Sequence, residues 1–133
     1  MTFLIIHGPN MNLLGSFSKD RLTLDKLNQS LRKFVNPLNL KLKIIQTHDV
    51  NKYVTLIQRN RNKVDGIIIN LGPLHAQSEL LEDTLSITKV PFVFVEFTRH
   101  SQNISKSTIK KENIIINDDI LESYKAAIAK LSN

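Results

Sequence analysis

The chain has 133 residues, no cysteine and a net charge of +6 at pH 7. The absence of cysteine excludes a disulfide framework, a thiolate zinc site and a cysteine nucleophile. The length predicts one domain over residues 1–133, and no stretch reaches the ~20 apolar residues of a membrane span, so a cytoplasmic protein with no membrane contact is expected.

The opening Phe3–Ile6 run predicts a first strand. It is too short for the apolar region of a secretion signal and lacks a basic lead. Leu24, Leu27, Leu31 and Phe34 then follow 3, 4, 3 spacing, one face of a helix. Leu42–Ile45 predicts the second strand, and Tyr53, Leu56 and Ile57 begin a second helical stripe. Ile67–Ile69 is the third strand; Leu81, Thr84 and Leu85 mark a third helix. Phe92–Val95 is the fourth strand, and residues 98–112 carry no apolar stripe, which predicts a loop or a short irregular helix. Ile114–Ile116 is the fifth strand. Asn117, Asp118 and Asp119 then supply cap residues for a last helix with Ile120, Tyr124, Ala127, Ile128 and Leu131 on its stripe.

Strands read as continuous apolar runs are those of a parallel sheet covered on both faces. Their regular alternation with helices predicts an α/β, doubly wound, three-layer fold. Five strands at this length give the flavodoxin-like order 2-1-3-4-5. Ligands of such sheets bind beyond the carboxyl ends of the strands, where the order reverses. Three segments converge there: His7-Gly8-Pro9-Asn10 after strand one, Asn70-Leu71-Gly72-Pro73-Leu74-His75 after strand three, and Glu96-Phe97-Thr98-Arg99-His100 after strand four. His7 and His48 read as structural, and His100 as a surface histidine.

Several α/β chemistries are excluded. There is no G-x-G-x-x-G and no Walker lysine. Asn70 stands where a phospho-acceptor domain needs an acid, and no His/Asp/Glu group has metal-ligand spacing. No metal or organic cofactor is expected. The basic residues are scattered and no aromatics interleave with the Lys106, Lys110, Lys111 group, so no nucleic acid is expected either.

Gly8-Pro9-Asn10-x-Asn12-Leu13-Leu14-Gly15 after the first strand resembles the signature of the type II 3-dehydroquinate dehydratases. Leu22-Thr23-Leu24-Asp25, Gln46-Thr47, Ile67-Ile68-Ile69-Asn70-x-Gly72 and Pro91 extend the likeness to about residue 98. The resemblance implies a metal-free elimination of water from 3-dehydroquinate, a small carboxylate of the shikimate and quinate routes. It also implies a homo-oligomer, a trimer or a dodecamer assembled from trimers. Carried over by position, Asn10 holds the water that supports the enolate and Asn70 binds substrate. Thr98, with the backbone N–H of Phe97, grips the substrate carboxylate. Asp83 reaches a neighbouring subunit's site.

Other positions depart from the family. Its lid carries a tyrosine base and an arginine; here Ser16–Arg21 is shorter and has no tyrosine, and Arg21 is the one arginine nearby. The substrate-binding histidine falls on Ala76, with His75 one place early, and the proton-donating histidine falls on Glu96. The arginines that follow have no clear counterpart, and Arg99 is the sole candidate for one. This incomplete set predicts dehydratase activity that is weak or absent, the alternative being a non-catalytic relative that binds a ligand or serves assembly.

Overall fold

The computed structural model describes residues 1–133. Five strands, β1 (Thr2–His7), β2 (Lys41–Gln46), β3 (Gly66–Ile69), β4 (Phe92–Glu96) and β5 (Ile114–Ile116), form one sheet in the order β2-β1-β3-β4-β5. All four pairings are parallel. The helices are α1 (Leu24–Val35), α2 (Val50–Asn60), α3 (Glu79–Thr88), α4 (Ser101–Ser105) and α5 (Ile120–Ser132). The expected α/β architecture and strand order are those of the molecule. The 98–112 segment holds only short turns and the five-residue α4, as its lack of periodicity predicted.

The side-chain alternation of β1 divides the interior. Phe3 and Ile5 face a cluster with Leu27, Leu31, Tyr124, Ala127 and Ile128, so α1 and α5 cover that side. Leu4 and Ile6 face a second cluster with Tyr53, Ile57, Leu81 and Leu85, so α2 and α3 cover the other. Burial of a whole Leu or Ile side chain is worth about 1.5–3 kcal/mol, and each central strand contributes to both clusters. The edge strands depart from the two-sided reading. β2 alternates exposed Lys41 and Lys43 with buried Leu42, and Ile116 of β5 is exposed.

Local chemistry fixes the element starts. Thr23 caps α1 by accepting from the Lys26 N–H at 3.2 Å. Asp49 caps α2 through Asn51, and Asp119 caps α5 through Glu122. Of the three polar residues before α5, only Asp119 caps it. Asn117 accepts from the Asp119 N–H, and Asp118 turns towards Thr98. No helix is long and apolar enough to cross a membrane.

His7 is fully buried at the end of β1. Its Nδ1 lies 2.8 Å from the Tyr124 hydroxyl and its Nε2 lies 2.9 Å from Asn28 Oδ1. Asn28 Oδ1 accepts only, so Nε2 carries the proton and Nδ1 accepts from Tyr124. The strand end is thereby tied to α1 and α5. Burial lowers the His7 pKa to about 4, with the Asn28 bond opposing. The unfolded chain therefore binds this proton more readily, and stability falls as pH drops from 6.5 towards 4. The full effect is on the order of 3 kcal/mol. Urea unfolding between pH 7 and 5 is expected to show this slope. His7→Gln is expected to flatten it while lowering stability at pH 7; an unchanged slope in that variant would remove His7 as its source.

Candidate active site

The loop after β1 is held by neighbours that leave no choice of residue at its first position. A Cβ on Gly8 would stand 2.4 Å from the Asn70 carbonyl oxygen and 2.5 Å from the Tyr53 hydroxyl. The Gly8 N–H donates to Asn70 Oδ1 at 3.1 Å, and Gln46 Nε2 donates to the Gly8 carbonyl at 3.1 Å. Asn10 follows in the left-handed region with φ 67°, which asparagine tolerates better than most residues. Its N–H reaches His48 Nδ1 at 3.4 Å, and its side chain makes no cap bond to the turn that follows. The Asn10 amide is thus left to face whatever enters the crevice.

Behind this loop lies a closed polar knot. Glu96, at the end of β4, is fully buried. Its Oε1 accepts from Gly72 N–H at 2.8 Å and from Asn70 Nδ2 at 3.0 Å. Its Oε2 accepts from Leu71 N–H at 2.8 Å and meets His75 Nε2 at 2.7 Å. A carboxylate offers about four acceptor positions, and here all four are filled. Asn70 Nδ2 also donates to the Val95 carbonyl at 2.9 Å, while the Tyr53 hydroxyl donates to the Asn70 carbonyl at 2.6 Å. The register Ile69↔Phe94 makes these contacts possible by setting Asn70 beside Val95, one residue before Glu96. Gly72, with φ 53°, supplies the left-handed turn that aims successive N–H groups at the carboxylate.

In front of the knot is a cavity of about 260 Å³. Asn10, Asn70, Phe17, Phe97, Arg99 and His100 are in its lining. The rings of Phe17 and Phe97 meet edge to face at 5.4 Å, and the Arg99 guanidinium lies 4.9 Å from the Phe17 centroid. His100 is half-buried against Gly72. Burial lowers its pKa below 6.5; Glu96 opposes this, and Arg99 and His75 add to it. Arg99 and His100 are the only ionisable side chains lining the cavity.

The model of the class II dehydroquinases matches residues 1–131. The chain belongs to that family. A 3-dehydroquinate dehydratase of Prochlorococcus marinus is 32% identical over 120 residues, 86% of this chain and 77% of that protein. One from Halothermothrix orenii is 34% identical over 105 residues, 77% of this chain and 68% of that protein. The crystal structure of a type II dehydroquinase from Butyrivibrio crossotus superposes with a TM-score of 0.83, covering 100% of this chain and 98% of that one. At 23% identity that likeness speaks for the fold alone.

Several residues singled out from the family pattern lie elsewhere or are already engaged. Glu96 is sealed from solvent and absent from the cavity lining, its two oxygens engaged by three N–H donors and the His75 ring, so it does not reach a leaving group there. His75 is fully buried on Glu96 and does not line the cavity; its Nδ1 has no hydrogen-bond partner in the chain. Asn70 does line the cavity, but both its amide hydrogens are used, on Val95 and Glu96. Thr98 does not present a free carboxylate grip. Its N–H donates to Asp118 Oδ1 at 3.1 Å and its hydroxyl donates to the same oxygen, which holds the Asp118 carboxyl below its usual range. Arg21 is exposed and outside the cavity, in a turn where Asp20 and Arg21 both adopt left-handed φ. Lys19 and Asp20 lie against the start of α5 instead. Asp83 is exposed on α3, remote from the cavity lining of its own chain. Asn10, Phe97 and Arg99 do line the cavity.

Neither tyrosine replaces the family's base. Burial and the Glu96 charge raise the pKa of both Tyr53 and Tyr124, and each hydroxyl is bonded inside the core. His100, read from sequence as a surface histidine, is half-buried and lines the cavity. It sits in a segment without periodicity, and only its place four residues beyond Glu96 hinted at the crevice. Replacing Glu96 by Gln would turn two amide hydrogens towards groups that themselves donate. A loss of about 2–5 kcal/mol is expected in urea unfolding at pH 7. A loss under about 1 kcal/mol would mean the knot relaxes at little cost.

Proposed function

We propose that this chain is a 3-dehydroquinate dehydratase that works slowly, as one cytoplasmic domain with no metal or organic cofactor and no nucleic-acid partner. The observation that carries this reading is the cavity itself. It lies at the expected end of the sheet, is sized for a small molecule, and has both Asn10 and Arg99 in its lining. Arg99 is suited to the substrate carboxylate through its planar fork of donors. Asn10 is suited to the enolate oxygen, directly or through water. The family's relatives named as 3-dehydroquinate dehydratases supply the reaction class.

The low rate follows from what closes the cavity. Phe17 is what the lid brings to the cavity, at the family's lid-arginine position, and the lid has no tyrosine to serve as the family's base. Loss of one positioned acid or base costs about 10²–10⁴-fold. The same observation, with Asp118 seated on Thr98, favours a second reading: a non-catalytic relative that binds a small carboxylate. The assay is the ultraviolet absorbance of the conjugated enone product. Slow turnover above the uncatalysed rate is expected, falling at least about tenfold further in Asn10→Ala. No turnover, with dehydroquinate still bound by calorimetry, would favour the second reading.

The proposal includes a homo-oligomer with Asp83 near a subunit boundary. Leu80, Asp83 and Ile87 share the outer face of α3, where Ile87 is 70% exposed and Leu80 is 49% exposed. These two exposed apolar side chains beside Asp83 are the surface that this reading assigns to the subunit boundary. Sedimentation at micromolar concentration is expected to give a species several times the 15.2 kDa chain mass, and Ile87→Glu is expected to dissociate it. A monomer in the unmutated protein would contradict this.

A further inference from the structure

We infer that His100 is the proton acceptor of this crevice, a catalytic base at a position that the family pattern does not assign. The inference rests on the dehydratase reading above and deepens it.

Elimination carries the argument. A dehydratase must remove a proton from carbon next to a carbonyl. The accepting atom must come within ~3 Å of that proton, or one water away. Only two ionisable side chains line the cavity, Arg99 and His100. Arginine stays protonated and accepts nothing. Tyr53 and Tyr124 are bonded in the core, His7 is bonded to Tyr124 and Asn28, and Glu96 and His75 bond each other, fully buried and outside the lining. Lys19 and Asp20 belong to a different surface, beside the start of α5. His48 touches the Asn10 N–H from the loop before α2 but is not part of the lining. His100 alone can take a proton inside the cavity.

Its surroundings suit that task. Gly72 brings the backbone close enough for the imidazole to pack on it; a Cβ there would sit 3.5 Å from Nε2. The groups that act on its charge are Arg99 on its own turn, His75 on the 72–77 turn and Glu96 at the end of β4. Burial is the largest influence and, with Arg99 and His75, favours the neutral ring, against Glu96. A ring neutral at pH 7 is ready to accept.

The step balances. Neutral imidazole takes the carbon-bound proton. The C–H pair becomes the enolate C=C, and the carbonyl π pair moves to oxygen, beside the Asn10 amide. The enolate then reforms the carbonyl, the new C=C forms towards the neighbouring carbon, and the C–O bond to the hydroxyl breaks. The departing hydroxide is neutralised through solvent water in the open crevice by the proton that the imidazolium releases, which gives water and restores the neutral imidazole. The net change is substrate to enone plus water.

The test uses the full chain with dehydroquinate. In the unmutated protein kcat/KM is expected to rise with pH through a value below 6.5 and then level off. His100→Gln is expected to lose at least about 10²-fold in kcat with KM within a few-fold, and to lose the rising limb. Its thermal midpoint should stay close to the unmutated value. Added imidazole should restore part of the rate to His100→Ala. If His100→Gln keeps its rate and its pH limb while the unmutated protein turns over, the dehydratase reading stands and this assignment fails. If the unmutated protein shows no turnover at any pH, the dehydratase reading fails and the assignment with it.

Discussion

Removing a carboxylate from water costs several kcal/mol, and a protein bears that only where donors replace the lost solvent. Glu96 is wholly enclosed and meets four polar partners: two backbone N–H groups, an asparagine amide and a histidine ring. Those partners come from the loop after β3, whereas Glu96 itself ends β4. The loop therefore cannot adopt its shape without the strand, and the strand end cannot be buried without the loop. Asn70 passes the constraint on by accepting the Gly8 N–H, so the loop after β1 is set by the same group.

This arrangement decides what is left for chemistry. Residues that could have faced a ligand, His75 and most of Asn70, are consumed in holding Glu96. The front of the crevice is then furnished by whatever the loop after β4 presents, which is Arg99 and His100. The lid side is apolar, because Phe17 packs on Phe97 and under Arg99. Thr98 is turned to a different purpose, joining the end of β4 to the start of α5 through Asp118. The ionisable groups at the cavity thus lie on the turn beyond β4 and not at the strand end itself.

The fold was legible in the sequence because it depends on periodicity. Phe3–Ile6 and Ile67–Ile69 are continuous apolar runs, and their neighbours on both faces required it. The α1 stripe was read nearly in full; Val35, missed, extends the buried row of Leu27 and Leu31 by one turn. Asn10 was legible because a dense local motif surrounds it. The knot was not, because His75 and Glu96 are 21 residues apart and meet only through the register of β3 on β4. Nothing in their local sequence distinguishes an acid facing a ligand from an acid facing four polar partners. His100 failed for the opposite reason, since a lone histidine in a polar segment looks like a surface residue until the sheet end is folded around it.

Amide hydrogen exchange at Leu71 and Gly72 tests the central claim most directly. Both lie in a loop between β3 and α3, where amides outside regular structure exchange quickly. If Glu96 accepts from both, they should exchange as slowly as Ile67–Ile69 in the strand before them, opening only with the global transition. Exchange of Leu71 and Gly72 at unprotected loop rates, with Ile67–Ile69 fully protected, would contradict the account. Glu96 would then be free to face the crevice.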